Sequence, residues 1–520
     1  MSRLAWLRRA QLVGLGAIGA LALPPFHLVF MLLPAITGLI WILDQADDRR
    51  CAFGIGWSFG LGQGLVGYYW VSSAFLVDTV AHGVLAPFAV AGLAGCLAIF
   101  PAATASIAWS LWRWWGPSPL ARILTFAGLW AASEWLRADI LTGFPWNLVA
   151  TVWSFSPEML QAAALVGPYG LGMITIAVAG LPAIFLFGDN RRVAMICLGV
   201  GLLVLADVWV LGYVRLGSAP PSAVDGVRLR LVQPNIQQHL KWRRELRLEH
   251  VRKQMRLSDG PDAAGAWPTH VIWSETAVPF NLSADVGLRQ VMASAVPADG
   301  LLITGAPRGE TVEGEERRVF NSIHALDPKG EITATYDKRH LVPFGEYVPL
   351  RWLFGFSKLT AGRLDFHPGT TPQVFDLAGL PPAIMLICYE IIFPAKVGAG
   401  QRRAAWMLNL TNDAWFGITA GPHQHLAAAQ LRAVEQGLPV VRVANTGISA
   451  VIDAHGRIEV RLGLGQKGRL DTTLPKGLAG PPPYGQYGDW LTLIMISLGL
   501  AALWLPRLAQ GPNPGNAVKP

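Results

Sequence analysis

The segment AIMLICYE, residues 383–390, is an apolar run of strand length that ends at Cys388 and continues into Tyr389 and Glu390. A short apolar run bounded by polar residues is typical of a strand buried in a layered domain. Further runs of this length occur at 227–233 (VRLRLVQ), 270–275 (HVIWSE), 301–306 (LLITGA) and 406–411 (WMLNLT). We therefore expect Cys388 to end one strand of a mixed sheet.

Turn signals and helical periodicity complete this region. Turn residues predict hairpins at 321–338 and 447–462. Helical periodicity predicts helices at 242–257 and 422–437. Strands mixed with helices indicate a layered α/β or α+β domain over residues 226–476. The Pro/Gly-rich stretch KGLAGPPPYG (476–485) is typical of a linker.

The rest of the chain is more apolar than a soluble protein. Of 520 residues, 52% are hydrophobic and 15% are charged, with a mean hydropathy of +0.38, whereas soluble proteins average about 25% charged residues. This composition excludes a disordered or fibrous protein and argues against an ordinary cytosolic enzyme. The net charge of +8 does not indicate nucleic-acid binding, because many basic residues lie between apolar runs. Four cysteines without a CxxC pair encode no zinc ribbon.

Eight segments are long and apolar enough to span a bilayer, which takes about 20 residues. They lie near 10–24, 27–44, 53–76, 84–112, 120–136, 160–188, 193–214 and 488–506. The fourth and sixth could tilt or kink at Pro101, Pro168 and Pro182. The sequence thus predicts a polytopic α-helical membrane domain, with seven spans in 1–215, an eighth in 486–507 and a tail at 508–520.

Basic residues predict the orientation of these spans. One set of connections holds Arg3, Arg8, Arg9, Arg49, Arg50, Arg113, Arg122, Arg191, Arg192 and Arg507. The opposite short connections hold almost none apart from Arg137. Because Lys and Arg accumulate on the cytoplasmic side, both termini are predicted to be cytoplasmic and residues 226–476 extracytoplasmic. Cleavage of a signal peptide at Ala20-Leu21-Ala22 is an alternative that leaves this placement unchanged.

Three reactive side chains end predicted strands. Glu275 follows HVIWS, Lys338 ends the first hairpin, and Cys388 ends AIMLI. Strand ends of a mixed sheet converge on one rim, where a Glu could take the thiol proton and a Lys could stabilise thiolate and oxyanion. The alternative is an inert buried cysteine with unrelated charges at exposed strand ends.

The order Glu, Lys, Cys resembles the nitrilase superfamily of carbon–nitrogen hydrolases, whose fold is an α/β/β/α sandwich. Within it, the chain resembles the apolipoprotein N-acyltransferase family in its membrane frame and in several motifs. These are EWLRADILTGFPWN (134–147), VQPNIQQHLKW (232–242), WSETAVP (273–279), YDKRHLVPFGEYVP (336–349), ICYEIIFP (387–394), LTNDAWFG (410–417) and HQHLAAAQLRAVEQGLPVVRVANTG (423–447). Ser274 departs from the family, which commonly has Pro before the catalytic Glu.

The resemblance implies a role for each matched residue. Glu275 would be the general base, Lys338 the electrostatic stabiliser and Cys388 the nucleophile. The supporting residues that it implies are Glu346, Tyr389, Glu390, Trp242 and Trp415. The backbone N–H of Tyr389 would join Lys338 in the oxyanion hole.

The family reaction implies the substrates. Cys388 would take the sn-1 acyl chain of a phospholipid, most simply phosphatidylethanolamine, and pass it to the α-amine of diacylglyceryl-cysteine in an apolipoprotein. A monomer in the bacterial inner membrane, with a periplasmic catalytic domain and without cofactor or metal, is implied. His423 and His425, near Asp413, are expected to be cap or surface residues and not metal ligands.

The stretch LRWLFGFSKL (350–359) is interpreted as a lid or lipid-facing loop. Phe344, Trp352, Phe354 and Phe356 are expected to keep water from the acyl-enzyme. An ordinary packed segment is the alternative.

Two rival functions remain. A membrane-tethered amidase would use the same three residues on a small amide. A transporter with an extracytoplasmic receptor domain would need polar groups inside the spans, which only Glu134 and Asp207 approach.

Overall fold

A computed structural model describes residues 3–187, 190–217, 222–310, 318–349, 364–397 and 402–504. The predicted lid at 350–359 and the tail at 508–520 lie outside these ranges.

Helices make up the apolar part of the chain. Their bounds are Arg3–Ala20, Leu32–Asp44, Arg49–Gly67, Ser72–Leu76, Thr79–His82, Ala86–Leu97, Ile99–Trp115, Pro119–Asp139, Pro157–Leu160, Ala163–Gly180, Ile184–Phe187, Arg191–Leu216, Pro483–Tyr487 and Trp490–Ala501. Glycines allow close packing: a Cβ on Gly62 would lie 2.0 Å from the carbonyl oxygen of Val13 in a neighbouring helix.

Three stretches of described helix are long and apolar enough to cross a membrane: Gly83–Trp115, Ala163–Phe187 and Arg191–Leu216. Val29–Asp44 and Trp490–Trp504 are shorter apolar helices. All eight predicted spans overlap helices, but eight crossings stay a prediction.

The predicted kinks occur where proline removes a backbone donor. Gly167, before Pro168, has non-helical dihedral angles, and Pro182 lies in a 3-10 turn, Leu181–Ala183.

The polar part contains two six-stranded sheets. The strands are β1 Ala223–Gln233, β2 His270–Trp273, β3 Leu301–Glu310, β4 Arg318–Leu326, β5 Ile332–Asp337, β6 Val374–Leu377, β7 Leu380–Ile387, β8 Trp406–Thr411, β9 Val440–Ala444, β10 Ser449–Ile452, β11 Ile458–Leu462 and β12 Gly468–Pro475. The first sheet has the order β12-β1-β2-β3-β4-β5 and the second β11-β10-β9-β8-β7-β6. β1, β2 and β3 run parallel in the first sheet, as do β7, β8 and β9 in the second.

The inner faces of the two sheets form one apolar core, in which Leu231 and Ile272 of the first sheet pack with Met385 and Leu408 of the second. Helices cover the outer faces. The main ones are Arg247–Ser258, Val286–Ala293 and Gly421–Gln436. This is the α/β/β/α sandwich that the resemblance implied.

The helices within residues 3–216 and 483–504 form what we call the membrane part. It contacts the sandwich through the loop after helix Pro119–Asp139. Arg137 shapes this loop by donating to the carbonyl oxygens of Phe144 at 3.0 Å and Trp146 at 2.8 Å. Trp146 and Trp70, from a second membrane-part segment, both donate to Oε1 of Gln424, at 2.8 and 2.9 Å. Gln424 lies on helix Gly421–Gln436, so membrane part and sandwich share buried polar contacts.

Candidate active site

Cys388 lies at a sharp turn where β7 ends and a 3-10 helix, Cys388–Ile392, begins. Its φ of +52° falls in the left-handed region, which costs energy for a residue with a side chain. Two side chains approach its carbonyl oxygen: Nε2 of His425 at 3.1 Å, and Nδ2 of Asn409, which donates at 3.4 Å. The surrounding structure therefore fixes this unusual conformation and the direction of the sulfur.

His425 belongs to a fully buried network behind Cys388. Arg442 donates to Oδ2 of Asp413 at 2.6 Å and to Oδ1 of Asn409 at 2.5 Å. Nδ1 of His425 lies 3.0 Å from Oδ1 of Asp413. The prediction that this histidine is a cap or surface residue is wrong, because it is fully buried and helix Gly421–Gln436 turns it toward the turn at Cys388. His423 is half-buried.

The same network bears on metal binding. Potential ligand atoms of Cys388, Asp413 and His425 lie within 4.8 Å of one another. However, the Asp413 carboxylate already pairs with the Arg442 guanidinium, and this pairing holds its pKa well below the usual range despite burial. The Arg442 guanidinium thus already neutralises the carboxylate that a metal ion would need.

Glu275 follows β2 and is buried beside a second carboxylate. Nδ2 of Asn321 donates to Oε1 of Glu275 at 2.7 Å and to Oε1 of Glu346 at 2.8 Å. A Cβ on Gly305 would lie 2.7 Å from Cα of Glu275 and 2.4 Å from N of Thr276. Only glycine on β3 allows this close approach, which positions Glu275. Ser274 is buried before it.

Lys338 follows β5 and is 1% exposed. Its backbone N–H donates to the carbonyl oxygen of Asn321 at 2.9 Å, and its Nζ lies 2.9 Å from Oε2 of Glu346. Burial would lower the pKa of Lys338, but the Glu346 and Glu275 carboxylates outweigh it and raise that pKa. The ammonium is therefore charged at neutral pH.

The three predicted residues lie close enough for the charges of Glu275 and Lys338 to act on the pKa of Cys388. Burial raises the pKa of the Cys388 thiol; the Glu275 carboxylate raises it further and the Lys338 ammonium opposes both. Burial likewise raises the pKa of Glu275. A thiol, a carboxylate with raised proton affinity and an ammonium can together form a thiolate and stabilise an oxyanion. The residues come from both sheets, not from one: Glu275 and Lys338 follow β2 and β5 of the first sheet, and Cys388 follows β7 of the second.

Glu390 connects the cysteine turn to the lysine loop. Its Oε2 accepts from N of Ile387 at 2.7 Å, and its Oε1 accepts from the hydroxyl of Tyr336 at 2.8 Å and from N of Arg339 at 2.9 Å. This carboxylate therefore fixes Cys388 and Lys338 relative to each other.

The other predicted residues differ in how closely they approach the site. Tyr389 is buried, and its hydroxyl donates to the carbonyl oxygen of Gly143 at 2.8 Å. Trp242 and Trp415 are half-buried beside residues of the site: Trp242 follows Lys241, and Trp415 lies in the 3-10 helix that begins at Asp413. Phe344 is 36% exposed. Trp352, Phe354 and Phe356 lie outside the described residues.

Sequence reasoning missed Lys241, Asn321 and Arg442. Each is a buried polar residue whose partners are distant in sequence. The motif 232–242 includes Lys241 next to Trp242 and was the available signal for it. The motif 423–447 likewise includes Arg442. Asn321 lies within a strand and outside these motifs, where a polar residue gives no such signal.

Family models match nearly the whole chain. Residues 15–181 match the apolipoprotein N-acyltransferase N-terminal domain, and residues 194–481 match carbon-nitrogen hydrolase. Apolipoprotein N-acyltransferases are similar over their full lengths. That of Rhodopseudomonas palustris is 40% identical over 98% of this chain and 97% of its own. That of Bradyrhizobium diazoefficiens is 39% identical over 97% and 96%, and that of Caulobacter vibrioides 40% over 95% and 94%.

Proposed function

Because this chain belongs to the apolipoprotein N-acyltransferase family, we propose that it transfers an acyl chain from a phospholipid to the N-terminal amine of an apolipoprotein. It is an acyltransferase of lipoprotein maturation and a bacterial membrane protein. The donor bond is the sn-1 ester, and the donor is phosphatidylethanolamine. The acceptor is the α-amine of diacylglyceryl-cysteine.

In the first half-reaction, Glu275 takes the proton of Cys388, and the sulfur attacks the ester carbonyl carbon. Lys338 and the backbone N–H of Tyr389 stabilise the oxyanion of the tetrahedral intermediate. Glu275 returns the proton to the departing lysophospholipid oxygen, which leaves an acyl thioester on Cys388. The raised pKa of Glu275 suits both transfers, because it lies closer to neutrality than that of an ordinary carboxyl.

In the second half-reaction, the α-amine attacks the thioester carbon and Glu275 accepts a proton from the nitrogen. Collapse of the intermediate expels the Cys388 thiolate and forms the amide, and Glu275 returns the proton taken from the nitrogen to the thiolate. Glu346 holds Lys338 in place, and Glu390 holds the turn. Trp242 and Trp415 line the approach to the site.

The membrane topology of this proposal has eight crossings, with residues 226–476 outside the cytoplasm and both termini inside. Three long apolar helices and the one-sided basic residues support it. A water-soluble enzyme would have to extract an acyl chain at about 0.8 kcal/mol for each CH₂ exposed to water. Attachment of the sandwich to the membrane part avoids this cost, because both substrates are lipids.

One observation carries the proposal: Cys388 is fixed in a strained turn, coupled to Glu275 and Lys338, next to Tyr389, which is bonded to the membrane-part loop. An amidase site would need the fixed turn and the interaction of Cys388 with Glu275 and Lys338, but not the bond from Tyr389 to the membrane-part loop.

Mass spectrometry of the protein purified from phosphatidylethanolamine vesicles tests the proposal. We expect a fatty acyl mass on the Cys388 peptide that hydroxylamine removes, and none in Cys388→Ala. Incubation with a diacylglyceryl-cysteine peptide should transfer that mass to the peptide amine. An unmodified cysteine in a protein that hydrolyses small amides would instead identify the tethered amidase. Full activity of Cys388→Ala in cells would favour the transporter.

A further inference from the structure

Lys241 is a buried cation that the reaction above does not use. It ends the short helix Gln238–Lys241, is 2% exposed, and its Nζ donates to the carbonyl oxygen of Glu275 at 3.0 Å. Its ammonium also interacts electrostatically with the Cys388 thiol. An ammonium buried this deeply requires compensating negative charge nearby.

The charges around Cys388 show what Lys241 compensates. Glu275 and Glu346 share the same amide nitrogen of Asn321, so the two carboxylates lie close together. Lys338 pairs directly with Glu346. Asp413 is paired with Arg442 elsewhere in the network.

Glu390 is a third buried carboxylate, and hydroxyl and backbone N–H donors at the turn stabilise it. Among the described residues around the thiol, Lys338 alone would therefore face two carboxylates if Lys241 were neutral.

We propose that Lys241 is the second cation of this site, which limits its net negative charge while the Cys388 thiolate forms. The inference rests on the proposed function, in which Cys388 is the nucleophile. Before proton transfer, two ammonium groups balance Glu275 and Glu346. After transfer from Cys388 to Glu275, they balance the thiolate and Glu346. Without Lys241, both states would carry one further uncompensated buried negative charge, which is costly in a buried site.

The protonation of Lys241 sets a limit on this role. Burial lowers its pKa to about 8, although Glu275 and Cys388 oppose the shift. The ammonium is therefore charged at neutral pH and is lost as the pH rises past this value. A purely structural lysine would act only through its hydrogen bond to the Glu275 carbonyl oxygen.

Glutamine and arginine separate the two roles. Lys241→Gln keeps an N–H donor for that carbonyl oxygen but removes the charge, whereas Lys241→Arg keeps the charge. The measurement is the rate at which iodoacetamide alkylates Cys388, followed at the Cys388 peptide by mass spectrometry from neutral to alkaline pH. Peptide resolution is needed because Cys51 and Cys96 are exposed.

We expect Lys241→Gln to alkylate at least about tenfold more slowly at neutral pH, with the midpoint shifted upward by about one pH unit. Lys241→Arg should have a midpoint below that of Lys241→Gln. A wild-type rate and midpoint in folded Lys241→Gln would overturn the proposal, as would an arginine midpoint equal to the glutamine one. Should Lys241→Gln not fold, an arginine midpoint above that of the wild type would overturn it.

Arg289→Met is the matched control. Arg289 is also a buried cation that donates to backbone carbonyl oxygens, those of Leu282 and Gly330, away from the site. It should lose stability without a shift of the Cys388 midpoint. The iodoacetamide assay contains no lipid and therefore does not depend on acyl transfer. If the wild-type protein took up no acyl group from vesicles, the proposed function would be refuted, but the alkylation midpoints would still decide the role of Lys241.

Discussion

The hydroxyl of Tyr389 donates a hydrogen bond to the carbonyl oxygen of Gly143 at 2.8 Å. Tyr389 follows the proposed nucleophile, and Gly143 lies in the loop that leaves the membrane part. Gly143 has a φ of +73°, and a Cβ there would lie 2.1 Å from the carbonyl oxygen of Ala138. The bond therefore joins two segments whose backbones are each held in a single conformation, and the position of the cysteine turn depends on the membrane part.

Replacement of Tyr389 by phenylalanine tests this dependence. The ring keeps its packing against Phe393, 5.1 Å between centroids, but the buried carbonyl oxygen of Gly143 loses its donor. We expect a loss of about 1 kcal/mol in stability and several-fold slower formation of the acyl-enzyme. Thermal unfolding and the time course of Cys388 acylation measure the two effects. Unchanged values in both would contradict a link through this bond.

The pH dependence of acylation reports on Glu275. Burial raises the pKa of its carboxyl, Lys338 opposes the rise, and Glu346 adds to it. Because the base must be ionised, the rate should fall on acidification through a pKa above the ordinary value of about 4.3. The free energy of unfolding depends on pH in the opposite direction. Because the pKa of Glu275 is higher in the folded than in the unfolded chain, this carboxyl stabilises the fold at a pH below its ordinary pKa, and the stabilisation is lost as the pH rises through the raised pKa of the folded state. Protonation of this group therefore lowers the rate without unfolding the protein.

Glu346→Gln provides the control for that assignment. It removes the negative charge that raises the pKa of Glu275, so the acid limb should move to lower pH while the maximal rate falls. An acid limb at the ordinary carboxyl value in the wild type, or a limb that does not move in Glu346→Gln, would show that another group controls it.

Gly305→Ala should displace Glu275. The added Cβ would meet backbone atoms of residues 274–276 at 2.4 to 2.7 Å, and backbone cannot move aside as a flexible side chain can. We expect a loss of about 1–3 kcal/mol in stability and acylation at least about tenfold slower. Gly287→Ala, in the surface helix Val286–Ala293, should leave both nearly unchanged, because its Cβ would meet only Oδ1 of Asp285, at 3.8 Å. Equal effects of the two substitutions would argue against a positioning role for Gly305.

The sequence predicted β2, β7 and β8 because each is a short apolar run with a polar residue at its end, and it predicted β5 from the hairpin turn before that strand. WMLNLT matches β8 residue for residue. It did not predict β12, GRLDTTLP, because this edge strand is only partly buried and lacks an apolar run. β12 forms by antiparallel pairing with β1, more than 200 residues away, so no local pattern specifies it.

Site residues divide in the same way. Glu275, Lys338 and Cys388 are reactive types at strand ends and could be proposed from position and resemblance. Asn321 could not, since its importance lies in two carboxylates that only the folded chain places side by side. The motif 232–242 includes Lys241 but does not indicate its contact with Glu275. His425 was misplaced because two histidines near a helix start resemble surface residues until Asp413 and Arg442 pack against one of them.

Gln424 provides the last prediction, which concerns the contact between the sandwich and the membrane part. Its single Oε1 accepts the indole N–H of both Trp70 and Trp146, all three side chains being buried. In Gln424→Leu both donors lose their acceptor, and an unsatisfied buried donor costs about 1–3 kcal/mol. Gln424→Glu keeps an oxygen in place and should retain both bonds. We therefore expect Gln424→Leu to lower the unfolding temperature and the acylation rate together, and Gln424→Glu to lie closer to the wild type in both. A glutamate variant as impaired as the leucine variant would show that the shape or neutrality of the amide, not its acceptor oxygen, holds the contact together.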